Sequence, residues 1–225
     1  MKDPNKAKTE RMMVKRTLKN LELNRMAACY VETKEDALKL IMQIIPEGVK
    51  TASGGSQTLV QCGIIDFLKE HTKYFDRYDK TLSPEGRKQN EREAYFADFY
   101  LTSANALTEH GEIYQVDGAS NRVSALAYGP DKVIIVAGIN KIVPNLRAAV
   151  ERVKRHAAPA NAIRLASGRF CENTGVCISP CFDENDLMCH ADCGDDTICC
   201  NTLIMKKQRI KDRITVIIVG EELGY

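Results

Sequence analysis

Hydrophobic positions along the chain change period several times, and each change predicts an element. Val14, Leu18 and Leu21 recur at i, i+4 and i+7 within a basic stretch, which predicts an amphipathic helix over roughly residues 5–26. Residues 1–26 then form an N-terminal helical arm packed on a domain spanning 27–225. Ala28-Cys29-Tyr30-Val31 reads as a strand, and residues 34–45 as a helix ended by Pro46 and Gly48. A strand over 49–52 runs into Ser53-Gly54-Gly55-Ser56-Gln57-Thr58, with a helix reaching about Cys62. Ser83-Pro84-Glu85 opens a helix whose first ten residues are almost wholly polar, so it is solvated or covers something.

Strands follow at 99–102 and 112–116, with a turn or short helix over 103–110 between them and a helix at 121–127 after them. Residues 131–138 read as a strand whose run 133–137 is continuously apolar, as strands covered on both faces tend to be. Ile142, Leu146, Ala149 and Val153 make a helical stripe within 140–156, and 214–219 supplies a last strand. Strand–helix alternation on this scale predicts an α/β fold, a mostly parallel sheet flanked by helices.

Composition narrows the class. At 225 residues, 44% hydrophobic, 28% charged and formal net charge +2, the chain has enough core for one α/β domain and no global pull toward nucleic acid or membrane. The basic stretches 1–25 and 206–213 read as solvated faces. No apolar segment follows the polar start, and the longest apolar runs fall far below the roughly 20 residues of a membrane helix. The expected location is cytoplasmic.

The cysteines break the ordinary picture. Of nine, seven lie within 171–200: Cys171, Cys177, Cys181, Cys189, Cys193, Cys199 and Cys200. The same stretch holds Glu172, Asp183, Glu184, Asp186, Asp192, Asp195 and Asp196 and no Lys or Arg. Thiolates there would repel one another unless a cation were present, and a bound metal inverts that balance. In a reducing compartment clustered thiols favour metal or redox chemistry over a disulfide framework. The candidates are an iron–sulfur cluster, zinc, or redox-active or paired thiols. No C-x2-C pair marks which four would act together, and His190 is a ligand or a solvated turn residue. Cys29 and Cys62 read as small buried apolar residues.

Three loops after strands carry candidate chemistry. Gly54, Gly55, Ser56 and Thr58 sit where a strand delivers its carboxyl end into a helix, a place for a phosphate or carboxylate, though a capped tight turn has the same residues. Glu109, beside His110 and Gly111, is a nucleophile or general acid/base, or else a solvated turn carboxylate. Asp117-Gly118 ends the next strand, and Lys141 at another strand-to-helix junction is an anion contact or an exposed lysine.

In joint order these segments resemble the LUD domain, named for the lactate utilization proteins. They are the Gly-Gly-Ser-Gln-Thr turn, Thr108-Glu109-His110-Gly111 with Asp117-Gly118, the run 133–143, the stretch 171–177 and the ending 213–224. The resemblance covers the chain from about residue 10. It implies a Rossmann-like α/β sandwich similar to the glucosamine-phosphate isomerase, ribose-phosphate isomerase and CoA-transferase superfamily. The glycine-rich turn would then hold a phosphate or a CoA moiety, and Glu109 would be the reacting carboxylate. Lactate-utilization members work within an iron–sulfur-containing L-lactate oxidation system. The chain departs from the family pattern in Cys189 and Cys193, which are extra. The expectation is a subunit or accessory protein of lactate or hydroxy-acid utilization, with a pocket for a small anionic metabolite and a cysteine-bound centre. Its partners would be other such subunits or a second copy of itself. The competing readings are a stand-alone CoA-transferase-like or sugar-phosphate-binding enzyme using Glu109, and a non-catalytic metabolite sensor.

Overall fold

The computed structural model describes residues 3–179, 182, 193–195 and 197–225. The first helix, α1 (Pro4–Leu23), begins at Asp3, whose carboxylate accepts from the amides of Asn5 and Lys6, and has proline in its first turn. Then come β1 (Ala27–Val31), α2 (Lys34–Ile44), β2 (Lys50–Ser53), α3 (Gln57–Gln61), α4 (Ile64–His71), β3 (Lys73–Phe75) and α5 (Pro84–Glu93). The second half runs β4 (Phe99–Thr102), β5 (Ala106–Thr108), β6 (Ile113–Asp117), α6 (Asn121–Ala127), β7 (Lys132–Gly138), β8 (Ile142–Val143), α7 (Leu146–Arg152) and α8 (Ala158–Leu165). A π-helical turn, Val153–Ala157, joins the last two. α9 (Phe170–Thr174), β9 (Asn201–Met205) and β10 (Ile214–Val219) complete the order.

Six strands form one sheet in the order β1-β10-β7-β4-β2-β3, every neighbouring pair parallel. Its centre is buried on both faces, which the apolar run of β7 requires. Val133, Ile135 and Ala137 enter one core cluster with Val216 and Ile218 of β10, while Ile134 and Val136 enter the other with Ile217 and Val219. α1 closes the first cluster with Val14 and Leu21, and α2 and α4 close the second with Ile41, Ile64 and Leu68. No residue of α5 is buried, in keeping with its polar opening. No helix among the described residues is long and apolar enough to cross a membrane.

A second sheet, β8-β5-β6-β9, is foreshadowed in the sequence pattern only by the strand at 112–116, which is β6. β5–β6 and β6–β9 are antiparallel and β5–β8 parallel. Segment 103–110, read as a turn or short helix, thus contains a strand. Ile142, read as part of a helical stripe, lies in β8 instead. Pro144 disfavours helical geometry for the residue before it, and Asn145 then starts α7 by accepting from the Ala148 amide at 3.0 Å. The basic stretch 206–213 is not wholly solvated either. Arg213 is buried, and its guanidinium donates to the carbonyl oxygens of Ala125, Leu126 and Pro130, closing the end of α6.

The strand ends are brought level by register. Val219 pairs with Gly138, and the chain beyond β10 turns back over the end of β7. A Cβ at Gly138 would sit 2.5 Å from the Leu223 nitrogen and 2.7 Å from the Glu221 oxygen, so only glycine admits that backbone. Gly138→Ala is expected to destabilise the fold by roughly 1–3 kcal/mol, as overpacking against backbone does. Chemical denaturation of the purified variant measures it.

Candidate functional site

A cleft of about 90 Å³ opens where the carboxyl ends of β2, β4 and β7 meet the second sheet and α8. Its wall includes Gly55, Ser56, Ser103, Asn105, Arg122, Lys141, Arg164, Cys199 and Tyr225 and, among the described residues, no aspartate or glutamate.

Lys141 is the pivot of this site. It is only 2% exposed, and its Nζ donates to Thr58 Oγ1 at 3.0 Å and Ser103 Oγ at 2.9 Å. Burial, helped by the charges of Arg152 and Arg122, pushes its pKa down from 10.5 to about 7. The exposed lysine that the sequence equally allowed is therefore not what the fold builds.

Arg122 is half-buried on the same wall. Its guanidinium donates to Gln115 Oε1, to the Val116 carbonyl oxygen and to Asn105 Oδ1, and lies 3.8 Å from Asp117 Oδ2. Gly54 makes room for this side chain, because a Cβ there would stand 2.7 Å from Arg122 Cδ and 3.0 Å from Thr102 Oγ1. The glycine-rich turn is thus shaped first around an arginine of the protein itself. Ser56 caps α3 by accepting from the Leu59 amide at 3.2 Å, while Thr58 lies beneath Lys141 and donates to the Leu223 carbonyl at 3.3 Å.

Two expected site residues are engaged elsewhere. The Asp117 carboxylate accepts from the amides of Ala119, Arg122 and Val123 at 3.0–3.2 Å, so it serves the start of α6 and is not on the cleft wall. Glu109 also lies off that wall. Its Oε2 is 2.6 Å from Arg16 Nη2, its carbonyl accepts from Asn20 Nδ2, and the next two carbonyls accept from Asn24, so this loop docks α1.

The cysteine segment is partly visible. Cys171, Cys177, Cys193 and Cys199 line a single apolar cavity of about 10 Å³ with Phe170, Ile178 and Ile198. No described cysteine is in a disulfide. Burial pushes the Cys171 thiol up, and Cys193 and Cys177 add to the shift. Cys200 is exposed, while Cys181, Cys189, His190 and the acids at 183, 184, 186, 192 and 196 lie outside the described residues. Four cysteines on one small cavity are a donor set whose chemistry suits a soft metal. Among the described residues no three His, Cys, Asp or Glu side chains are already grouped as a metal site. Ala158, Ile198 and Cys199 line both this cavity and the cleft, so the two share a wall. Burial likewise pushes up the thiols of Cys29 and of Cys62, the latter to about 11; Cys62 is buried as expected, whereas Cys29 is half-buried.

The LUD domain matches residues 14–219 of the chain. The chain belongs to the LUD domain family. A DUF162 family protein from Deinococcus radiodurans, known from its crystal structure, shares the fold at 17% identity and a TM-score of 0.50, with 94% of this chain and 98% of that one covered. The structure of eIF2B beta from Chaetomium thermophilum also aligns, at 12% identity and a TM-score of 0.35, over 50% of this chain and 43% of that one. No curated protein matches in sequence.

Within this LUD domain, sequence reasoning missed Ser103, Asn105, Arg122, Arg164 and Tyr225 on the cleft wall. They come from the loop between β4 and β5, from α6 and α8 and from the end of the chain, and no local motif links them. Tyr225 differs from the rest: its Oη is buried and has no hydrogen-bond partner among the described residues.

Because folding lowers the Lys141 pKa, the unfolded chain holds the extra proton between about pH 7 and 10.5, and stability rises with pH across that window. Below about pH 7 the full cost of burying the ammonium is present. Lys141→Met removes this dependence. Its stability relative to the parent should be greatest near pH 6 and should decline by up to about 1.4 kcal/mol per pH unit above pH 7, measured by denaturation at several pH values.

Proposed function

We propose that this LUD-domain protein binds a small organic anion of lactate or hydroxy-acid metabolism in the cleft, as a subunit or accessory protein of such a system. The observation that carries the reading is a wall with Lys141, Arg122 and Arg164 and, among its described residues, no aspartate or glutamate side chain. Such a wall is complementary to an anion, and its serine and threonine hydroxyls add neutral donors. A cleft of about 90 Å³ suits a small acid rather than a whole CoA ester. The metabolic assignment rests on family membership.

The four-thiol cavity supports a second element of the proposal. Cys171, Cys177, Cys193 and Cys199 would hold zinc or an iron–sulfur group as thiolates. Zinc would order the acidic segment and an iron–sulfur group would supply one-electron chemistry beside the cleft.

Anion binding favours the ammonium of Lys141, so binding takes up a proton and weakens as pH rises above about 7. Calorimetry with L-lactate and pyruvate in buffers of differing ionisation enthalpy should show that uptake. Lys141→Met should lose on the order of tenfold in affinity. Unchanged affinity in the variant would refute the role of this lysine. For the thiols, protein purified anaerobically should carry stoichiometric zinc or iron. Metal-free protein with fully titratable thiols would sink that part.

A further inference from the structure

Lys141 is placed for more than charge. An ammonium offers three N–H donors and a neutral amine two. Thr58 Oγ1 and Ser103 Oγ supply two acceptors, and no described carboxylate stands near enough to act as counter-ion. The neutral amine is therefore fully hydrogen-bonded through its protons, and its lone pair is left for the cleft that Lys141 lines. Desolvation and neighbouring cations are the two conditions that turn a lysine into a nucleophile, and here burial combines with Arg122 and Arg152.

Tyr225 lines the same cleft, and its Oη is buried and has no hydrogen-bond partner among the described residues. A buried hydroxyl without a partner is costly, and a ligand oxygen would satisfy it. Its position is fixed by the preceding residue. The Gly224 amide donates to Gln61 Oε1 at 2.7 Å, and the Gly224 carbonyl accepts from Asn140 Nδ2 at 3.3 Å, one residue from Lys141. The backbone that carries Tyr225 is thus tied to the residue next to Lys141, and both residues line the cleft.

We propose that Lys141 is a nucleophilic lysine that condenses with the carbonyl of a small 2-oxo acid in the cleft, with Tyr225 Oη bonding the acid's carboxylate. This rests on the anion reading above and names its substrate class. The Nζ lone pair forms a C–N bond to the carbonyl carbon as the C=O π pair moves to oxygen. The nitrogen loses a proton and the oxygen gains one, giving a carbinolamine. Loss of the hydroxyl with a further proton, as water, leaves a C=N imine. No electrons are gained or lost, and the hydroxyls of Thr58 and Ser103 are in contact with Nζ to relay its protons.

The test treats the whole protein at neutral pH with pyruvate or glyoxylate and cyanoborohydride, which reduces an imine to a stable amine. Intact mass should show one reduced adduct per chain, and peptide mapping should place it on Lys141. Labelling there should be on the order of tenfold or more faster than at exposed lysines, which are almost wholly protonated. L-Lactate, which has no carbonyl to condense, should protect Lys141. Tyr225→Phe should slow labelling about tenfold with an unchanged circular dichroism spectrum, the loss expected for a hydrogen bond to a charged group. Mapping uses the parent protein, so the result does not depend on Lys141→Met folding. An adduct scattered over surface lysines, or none at Lys141, overturns the imine. If the acids shift the melting temperature without forming the adduct, anion binding stands and the nucleophile is refuted. If they neither shift melting nor protect, the anion reading itself fails.

Discussion

The parallel register of β10 on β7 organises the rest of the molecule. Pairing from Ile214 with Val133 to Val219 with Gly138 runs the two most apolar strands side by side, so that alternate residues fill two separate cores. The same register ends both strands at one level. The chain leaving β10 must cross the end of β7, and Gly138 lets backbone meet backbone there. Residues 221–225 follow that path to the cleft. Asn140 holds them, its Oδ1 accepting from the Leu223 amide at 3.1 Å. The Thr58 hydroxyl bonded to Lys141 also reaches the Leu223 carbonyl. A site assembled from strand ends is only as ordered as the alignment of those ends.

Lys141 and three arginines, Arg213 buried and Arg122 and Arg152 half-buried, show how differently the fold treats a cation. Arg213, Arg152 and Arg122 are all wired to carbonyl oxygens: Arg213 at the end of α6, Arg152 to Asn105 and Asn140, Arg122 to Val116 and two side-chain amides. A planar guanidinium with five donors suits such forks and remains charged. Lys141 has only two hydroxyls and repulsive neighbours. Its charge is therefore the least supported of the four, and its proton the most easily moved. The arginines thus serve the scaffold, while Lys141 stands beside an open cleft.

The sheet was legible because its strands are buried on both faces and so are continuously apolar, as β7 and β10 are. The glycine-rich turn, Thr58 and Lys141 were legible as a strand-end site because each follows a strand directly. β5 and β8, of three and two residues, are too short to show a period, and their partners are distant in sequence. Glu109 and Asp117 had the right residue type in the right kind of loop. Their hydrogen bonds went to Arg16 and to the start of α6, which loop chemistry alone does not reveal.

The sequence by itself determined the α/β class, the family, and the concentration of thiols and acids in one segment. Those follow from local period, motif order and composition. Only the tertiary structure decided that Lys141 is buried without a counter-ion, that Tyr225 returns to the same cleft, and that Cys199 is common to cleft and thiol cavity. Burial and the distance between charges depend on which strand ends meet. That is a property of the packed sheet rather than of any stretch of chain.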